Sequence, residues 1–180
     1  MSPEARLVLV AGPSGAGKDT LIRLAATALA GEPQLSFPRR VVTRVADASE
    51  DHDTLGEAAF AQALAAGAFA LHWRAHGLGY GIPRAALAPG GVAVCNVSRA
   101  IVAQARREHG WVRFVAVTAP ATLRAARVAG RGREPADDAR LLREVPGDMP
   151  EAADLVIDNS GAPEAGAASL IAFLRQILER

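Results

Sequence analysis

The stretch RLVLVAGPSGAGK, residues 6–18, restricts what this chain can fold into more than any other. Arg6 to Ala11 has the character of a short buried strand, and Leu21 to Leu29 reads as a helix. Between them lies Gly12-Pro13-Ser14-Gly15-Ala16-Gly17-Lys18-Asp19. Strand, glycine loop and helix, in that order, let successive backbone N–H groups curl around an oxyanion, and the helix N-terminus adds its partial positive charge. Gly12, Gly17 and Lys18 match the GxxxxGK pattern, in which the lysine bridges the β- and γ-phosphates of a nucleotide. We therefore read Gly12, Pro13, Ser14, Gly15, Ala16, Gly17, Lys18, Asp19 and Thr20 as a nucleoside triphosphate site. The competing reading is a chance glycine turn before a helix.

The residue after such a lysine is normally a serine or threonine whose hydroxyl meets magnesium. Here it is Asp19, followed by Thr20. A carboxylate is also a hard oxygen ligand, so Asp19 is expected to serve Mg2+ directly or through water. Capping of the helix start is its alternative role. The strand that often supplies a partner acid ends here as Cys95-Asn96-Val97-Ser98-Arg99, with no acid in it. One carboxylate has in effect moved from that strand to the loop.

The rest of the chain alternates strands with helices. Strands are expected at Phe69 to Trp73, Val92 to Val97, Val112 to Thr118 and Leu155 to Ile157. Helices are expected at Glu57 to Ala66 (ended by Gly67), Ala100 to His109, after Pro120, at Asp138 to Val145, and at Ala165 to Glu179. The last carries Leu170, Ile171, Leu174 and Leu178 at helical spacing. Val41 to Asp53 reads as polar and turn-like, and Arg74 to Gly81 as a glycine-rich segment. Such alternation means an α/β protein whose parallel sheet is covered on both faces. With 180 residues, half of them hydrophobic, and neither an internal repeat nor a linker, the chain reads as one domain over 1–180.

Composition excludes several classes. The single Cys95 rules out an intramolecular disulfide and any cysteine-cluster metal site within one chain. No segment approaches the apolar length of a membrane span and no secretory leader is visible, so a soluble cytoplasmic protein is the expectation. A net charge of +1 gives no support to bulk attraction for nucleic acid or membrane. The oligomeric state stays open, a homodimer included. Charge is nonetheless unevenly placed: ten arginines face four acids between Arg99 and Arg143, the pattern of a protein that handles a compact polyanion in a cleft. Lys18 is the sole lysine among 20 basic residues.

Arg131-Gly132-Arg133 falls in a polar break after a helix carrying Arg124 and Arg127. Arginines on a lid can close over a triphosphate and neutralise the migrating phosphoryl group, so Arg127, Arg131 and Arg133, with Arg140 or Arg143, are the catalytic candidates beside Lys18. Arg44, His52, Trp73, His76 and Tyr80 all lie between the first helix and the strand at 92–97, the usual place for an acceptor-binding lobe. Arg44 and Tyr80 are natural phosphate partners.

The combination GPSGAGKD (12–19), VVTR (41–44), EDH (50–52), HWRAHGLGYG (72–81), CNVSR (95–99), GRGRE (130–134) and DNSG (158–161) resembles the guanylate-kinase-like P-loop kinases. It is closer still to their ribose 1,5-bisphosphate phosphokinase branch, which makes phosphoribosyl diphosphate during phosphonate breakdown. The resemblance implies a three-layer P-loop fold with a central parallel sheet. It further implies a small acceptor-binding lobe over 41–90 and an arginine-bearing lid over 124–145. It implies transfer of the γ-phosphoryl of ATP, with Mg2+, onto the 1-phosphate of a phosphorylated sugar, ribose 1,5-bisphosphate. Arg44 and Tyr80 would hold one acceptor phosphate, and Arg99 with the lid arginines would help the other. His52, His76 and Asn96 would be left for ribose hydroxyls or phosphate oxygens, and Asn159 would belong to the loop beside adenine.

True guanylate kinases differ in telling places. Asp47 stands where they carry a second arginine, Asp51-His52 where they carry Asp-Tyr, and Leu71 where a glutamate reads guanine. Guanine recognition is therefore expected to be lost, although the later tyrosine is kept as Tyr80. The alternatives are a nucleoside monophosphate kinase, a kinase acting on a hydroxyl with Asp51 or Asp53 as base, and a non-catalytic protein-interaction domain. The last predicts a degraded phosphate loop, which this chain does not have. A nucleic-acid binder would need a basic face with aromatic platforms, which one tyrosine and two tryptophans do not supply.

Overall fold

Leu7, Val8, Leu9, Val10 and Ala11 are all apolar, as a strand covered on both faces requires, and none is exposed. They form β1 (Arg6–Ala11), the centre of a five-stranded sheet in the computed structural model, which describes residues 4–45, 52–130 and 152–179. The other members are β2 (Leu35–Ser36), β7 (Val92–Asn96), β8 (Val112–Thr118) and β9 (Leu155–Asp158), in the order β2-β7-β1-β8-β9. Every pairing is parallel, so Val10 lies beside Asn96, Ala11 beside Ala116 and Thr118 beside Asp158. All carboxyl ends therefore meet at one edge, where open α/β sheets place their ligand crevice.

Five helices are described: α1 (Lys18–Ala28), α2 (Glu57–Ala65), α3 (Val102–Glu108), α4 (Ala121–Ala129) and α5 (Pro163–Leu178). On one face of the sheet, Leu21 and Ala25 of α1 and Leu170, Leu174 and Ile177 of α5 pack on Val8, Val10, Val94 and Val117. Each such large side chain contributes about 1.5–3 kcal/mol of burial. On the other face, Val102 and Ala105 of α3 join Leu7, Leu9, Cys95 and Phe114. The central parallel sheet and both apolar faces agree with the sequence reading.

Residues 40–83 hold a second sheet that sequence periodicity did not reveal. Its strands are β3 (Arg40–Val42), β4 (His52–Thr54), β5 (Phe69–Ala75) and β6 (Leu78–Pro83), in the order β4-β3-β6-β5. The segment read as turn-like over Val41 to Asp53 thus contributes two short strands. The glycine-rich segment 74–81 is a hairpin rather than a loop. His76 and Gly77 form its two-residue turn with φ of 52° and 76°, the positive values that such a turn requires. Gly79 and Gly81 lie in a strand because a Cβ there would meet the rings of Phe60 at 2.8 Å and Phe69 at 2.5 Å. Those rings stack at 4.9 Å and form a small core with Val41. Leu71 and Ile82 carry the hairpin onto the main core.

Burial pushes the Cys95 thiol up to about 12 from its ordinary 9.0. The thiolate is the reactive form, so Cys95 should resist a thiol-labelling reagent at pH 8 in the folded protein and react once the chain is unfolded. The unfolded chain gives up this proton first, so the associated stability is complete below pH 9 and is lost as pH rises toward about 12. Labelling kinetics with and without denaturant check the first point, and unfolding curves across that pH range check the second.

Candidate active site

The phosphate loop is shaped by contacts that only small or absent side chains permit. Gly15 and Gly17 have φ of 77° and 91°. A Cβ on Gly15 would also lie 2.7 Å from the Arg124 carbonyl oxygen of α4. Gly17 is the N-cap of α1 and supplies no side-chain cap, so the first N–H groups of α1 stay open to an anion. The Lys18 ammonium folds over the loop and donates to the carbonyls of Gly12 at 2.8 Å and Pro13 at 3.3 Å. These features fit a bound phosphate chain: a cradle that a Cβ would fill, an uncapped helix start and a lysine lying across it.

Asp19 lies in the first turn of α1 without acting as its cap. Its carboxylate accepts a hydrogen bond from the Asn96 amide at the end of β7. The strand that lacks an acid thus still reaches the ligand edge, through an amide that holds the displaced carboxylate. Among the described residues no cluster of three histidine, cysteine or carboxylate groups could hold a metal. A single hard carboxylate suits Mg2+, which keeps several waters and takes the rest of its ligands from substrate phosphates.

Arg127, in the last turn of α4, donates to the carbonyls of Gly15 (3.3 Å), Ala16 (3.4 Å) and Asn159 (2.9 Å). It clamps the loop to the end of β9. Asn159 directly follows β9. Its side chain is only 2% exposed and its amide donates to the Ala16 carbonyl at 2.8 Å, so it props the loop from beneath. Arg124 is buried too: its Nε donates to the Ala119 carbonyl while Nη1 has no partner. Arg131, Arg133, Arg140 and Arg143, Asp47, Asp51, the helix at 138–145 and most of the 124–145 lid lie outside the described residues.

The second sheet holds or adjoins three of the residues expected on the acceptor side, Arg44, Trp73 and Tyr80. Tyr80 pairs with Val42 on one side and Trp73 on the other, and its ring stacks on Trp73 at 5.2 Å and 5°. Thr43 exchanges hydrogen bonds with Gly79, and the carbonyl of the next residue, Arg44, accepts from the Thr54 hydroxyl. His52 is instead 2% exposed, with Nδ1 near the Asp53 carbonyl, which is not the open position expected of a substrate ligand. His76 is exposed at the hairpin tip, where the turn conformation accounts for its place. Arg99 opens a 3-10 turn, Arg99–Ile101, directly after β7. Leu71 is buried in the core.

A cleft of 340 Å³ runs from Asp19 and Asn96 down the side of α1, walled opposite by Phe37 to Arg40. Arg23, Arg39 and Arg40 line it, and none was singled out in the sequence. The adjacent pair Arg39-Arg40 just before VVTR was the available signal.

No family profile matches the chain. Individual relatives do. A protein of Methylobacterium radiotolerans described as ribose 1,5-bisphosphate phosphokinase PhnN is 56% identical over 174 residues, covering 94% of this chain and 97% of its own. The chain belongs to the ribose 1,5-bisphosphate phosphokinase family. Members from Acidiphilium cryptum (48% identity, 97% of this chain and 94% of the relative) and Brucella melitensis (45%, 99% and 94%) agree. Among solved structures, guanylate kinase from Anaplasma phagocytophilum superposes with a TM-score of 0.62 at 21% identity, over 97% of this chain and 86% of that one. At that identity the likeness shows the fold alone, a P-loop kinase fold around the parallel sheet described above. The family's phosphate loop is intact here, and the chain is a nucleotide-binding phosphotransferase. Among the described residues no helix is long and apolar enough to cross a membrane.

Proposed function

We propose that this protein transfers the γ-phosphoryl of ATP to the 1-phosphate of ribose 1,5-bisphosphate, giving 5-phospho-α-D-ribose 1-diphosphate and ADP. The observation that carries this reading is end-to-end similarity at 56% identity to a relative described by that activity, joined to an open phosphate loop. An oxygen of the acceptor's 1-phosphate forms the new bond to the γ-phosphorus as the bond to the ADP oxygen breaks. A phosphate monoester has a second pKa of about 6, so the attacking oxygen needs no base at neutral pH. The protein's task is alignment and charge compensation.

Lys18 and the loop N–H groups hold the triphosphate, with Arg127 keeping the loop closed from behind. Mg2+ at Asp19 would supply charge neutralisation between the phosphates. Arg44, Tyr80 and Arg99 lie on the acceptor side, Asn96 keeps Asp19 oriented, and Arg131 and Arg133 would cover the site. The surface formed by 41–90 is the acceptor-binding lobe and 124–145 the lid.

The test is a phosphoryl-transfer assay on purified protein with ATP and Mg2+, comparing ribose 1,5-bisphosphate, ribose 5-phosphate and GMP, with products read by phosphorus NMR. A new diphosphate signal with ribose 1,5-bisphosphate alone is the expected result. Transfer to GMP instead, or no transfer to ribose 1,5-bisphosphate, overturns the reading.

A further inference from the structure

The cleft beside α1 is lined by three arginines, Arg23, Arg39 and Arg40. Of its arginines, Arg39 is engaged, 3.4 Å from the Asp53 carboxylate and donating to the His52 carbonyl. Arg40 is different. Its Nε is buried without a hydrogen-bond partner, and among the described residues its guanidinium makes no ion pair. Arg23, on the opposite wall, also lacks an ion pair among the described residues. The Oδ1 of Asn96, at the mouth of the cleft, is likewise buried and unpartnered. Buried polar groups are nearly always hydrogen-bonded, so orphan atoms lining one cleft point to a ligand that completes them.

The orphan groups define that ligand's chemistry. Guanidinium N–H donors in a planar fork match a phosphate, and an orphan amide oxygen accepts from a hydroxyl. Their spacing defines its shape. Arg23 follows Asp19 by four residues, about 6 Å along the helix axis, a span that a furanose ring can bridge. A molecule with one phosphate at the Asp19 end, a hydroxyl near Asn96 and a second phosphate between Arg23 and Arg40 meets every unpaired group. The cleft volume of 340 Å³ lies at the small end of the usual range for such sites, about 300–1,000 Å³.

We propose that Arg40, assisted by Arg23, binds the phosphate of the acceptor that does not react, the 5-phosphate of the sugar. This subsite would separate a bisphosphorylated acceptor from a monophosphorylated one. The assignment rests on the reaction proposed above. Arg40 is paired in register with the buried His52.

The test uses the full chain and the variants Arg40→Gln, Arg40→Lys and Arg23→Gln, each first shown by circular dichroism to melt cooperatively. Steady-state transfer is measured with ribose 1,5-bisphosphate and with ribose 1-phosphate, which keeps the reacting group and lacks the 5-phosphate. Loss of one charge-assisted contact predicts a drop of about 10- to 100-fold in kcat/KM for ribose 1,5-bisphosphate in Arg40→Gln. Little change with ribose 1-phosphate, an unaltered KM for ATP, partial recovery in Arg40→Lys and a smaller effect in Arg23→Gln are expected. An equal loss with both acceptors, or none with either, overturns the proposal.

Calorimetric titration with ribose 5-phosphate provides a readout independent of turnover. Binding by the unaltered protein that is lost in Arg40→Gln supports the subsite even if no diphosphate forms, in which case the reaction alone is wrong. Equal binding by both, or none by the unaltered protein, overturns the subsite while leaving the reaction to stand on its own assay.

Discussion

Replacing Lys18 by alanine lowers kcat by about 10²- to 10³-fold, the usual consequence of removing one preorganised donor to a transferring phosphoryl group. The fold changes little. The ammonium donates to the loop carbonyls of Gly12 and Pro13 in a partly exposed position. Losing those bonds costs about 1 kcal/mol, which for a chain of this size moves Tm by about 2–4 °C. Turnover and thermal melting on the same preparation separate the two effects. A variant with near-full kcat would show that the loop does not hold the reacting triphosphate.

Replacing Gly12 by alanine acts in the opposite way, through structure first. A Cβ at Gly12 would overlap the Val117 carbonyl oxygen, a backbone atom of β8, itself paired on both sides to β1 and β9. No side chain can swing away to make room, so the loop must leave the sheet edge. Overpacking of this kind costs about 1–3 kcal/mol, equivalent to a fall in Tm of up to about 6–12 °C. The displaced loop no longer presents its N–H groups to phosphate, so nucleotide affinity falls with stability. Calorimetric titration with ATP and a melting curve test both. A Gly12→Ala protein that melts and binds like the unaltered chain would mean that the loop–strand contact is not what holds the loop in place.

These two substitutions lie six residues apart on one loop and report on different interactions. Lys18 acts on the ligand; Gly12 acts on the surface that carries the ligand. The brace beneath the loop belongs with Gly12. Asn159 and Arg127 both bond to the carbonyl of Ala16, and they come from the residue after β9 and from α4, over a hundred residues away along the chain. Asn159 thus bears on the shape of the loop through the Ala16 carbonyl.

Much of this protein could be read from residues that are neighbours in the chain. The order of strand, glycine loop and helix at 6–29 reflects local spacing and backbone freedom, and it located the nucleotide site. The apolar runs at 92–97 and 112–118, broken by helical spacing, are enough to require a parallel sheet covered on both faces. The glycine-rich hairpin illustrates the limit of that reasoning. HGLGYG has the composition of a loop, yet Gly79 and Gly81 stand in a strand because Phe60 and Phe69 press on them from elsewhere in the fold. Two short strands, β3 and β4, were missed because three residues carry no measurable period and gain their hydrogen bonds only from partners.

What the sequence by itself determined, then, is the set of properties that depend on short separations. These are the phosphate loop with Lys18, the alternation that builds the sheet, and the motif set that marks the family. Tertiary structure alone decided which distant groups meet. Asp19 and Asn96 are 77 residues apart and share one hydrogen bond, turning a missing acid on β7 into a held one on α1. Arg40 and Arg23 face one cleft because β3 folds back beside α1. His52 and Asn159, chosen as ligands for their chemistry, are buried because of where their strands lie. The physical reason is common to all of them: a side chain's type fixes what it can bond to, but its burial and its partners follow from strand register and packing, which are properties of the whole chain.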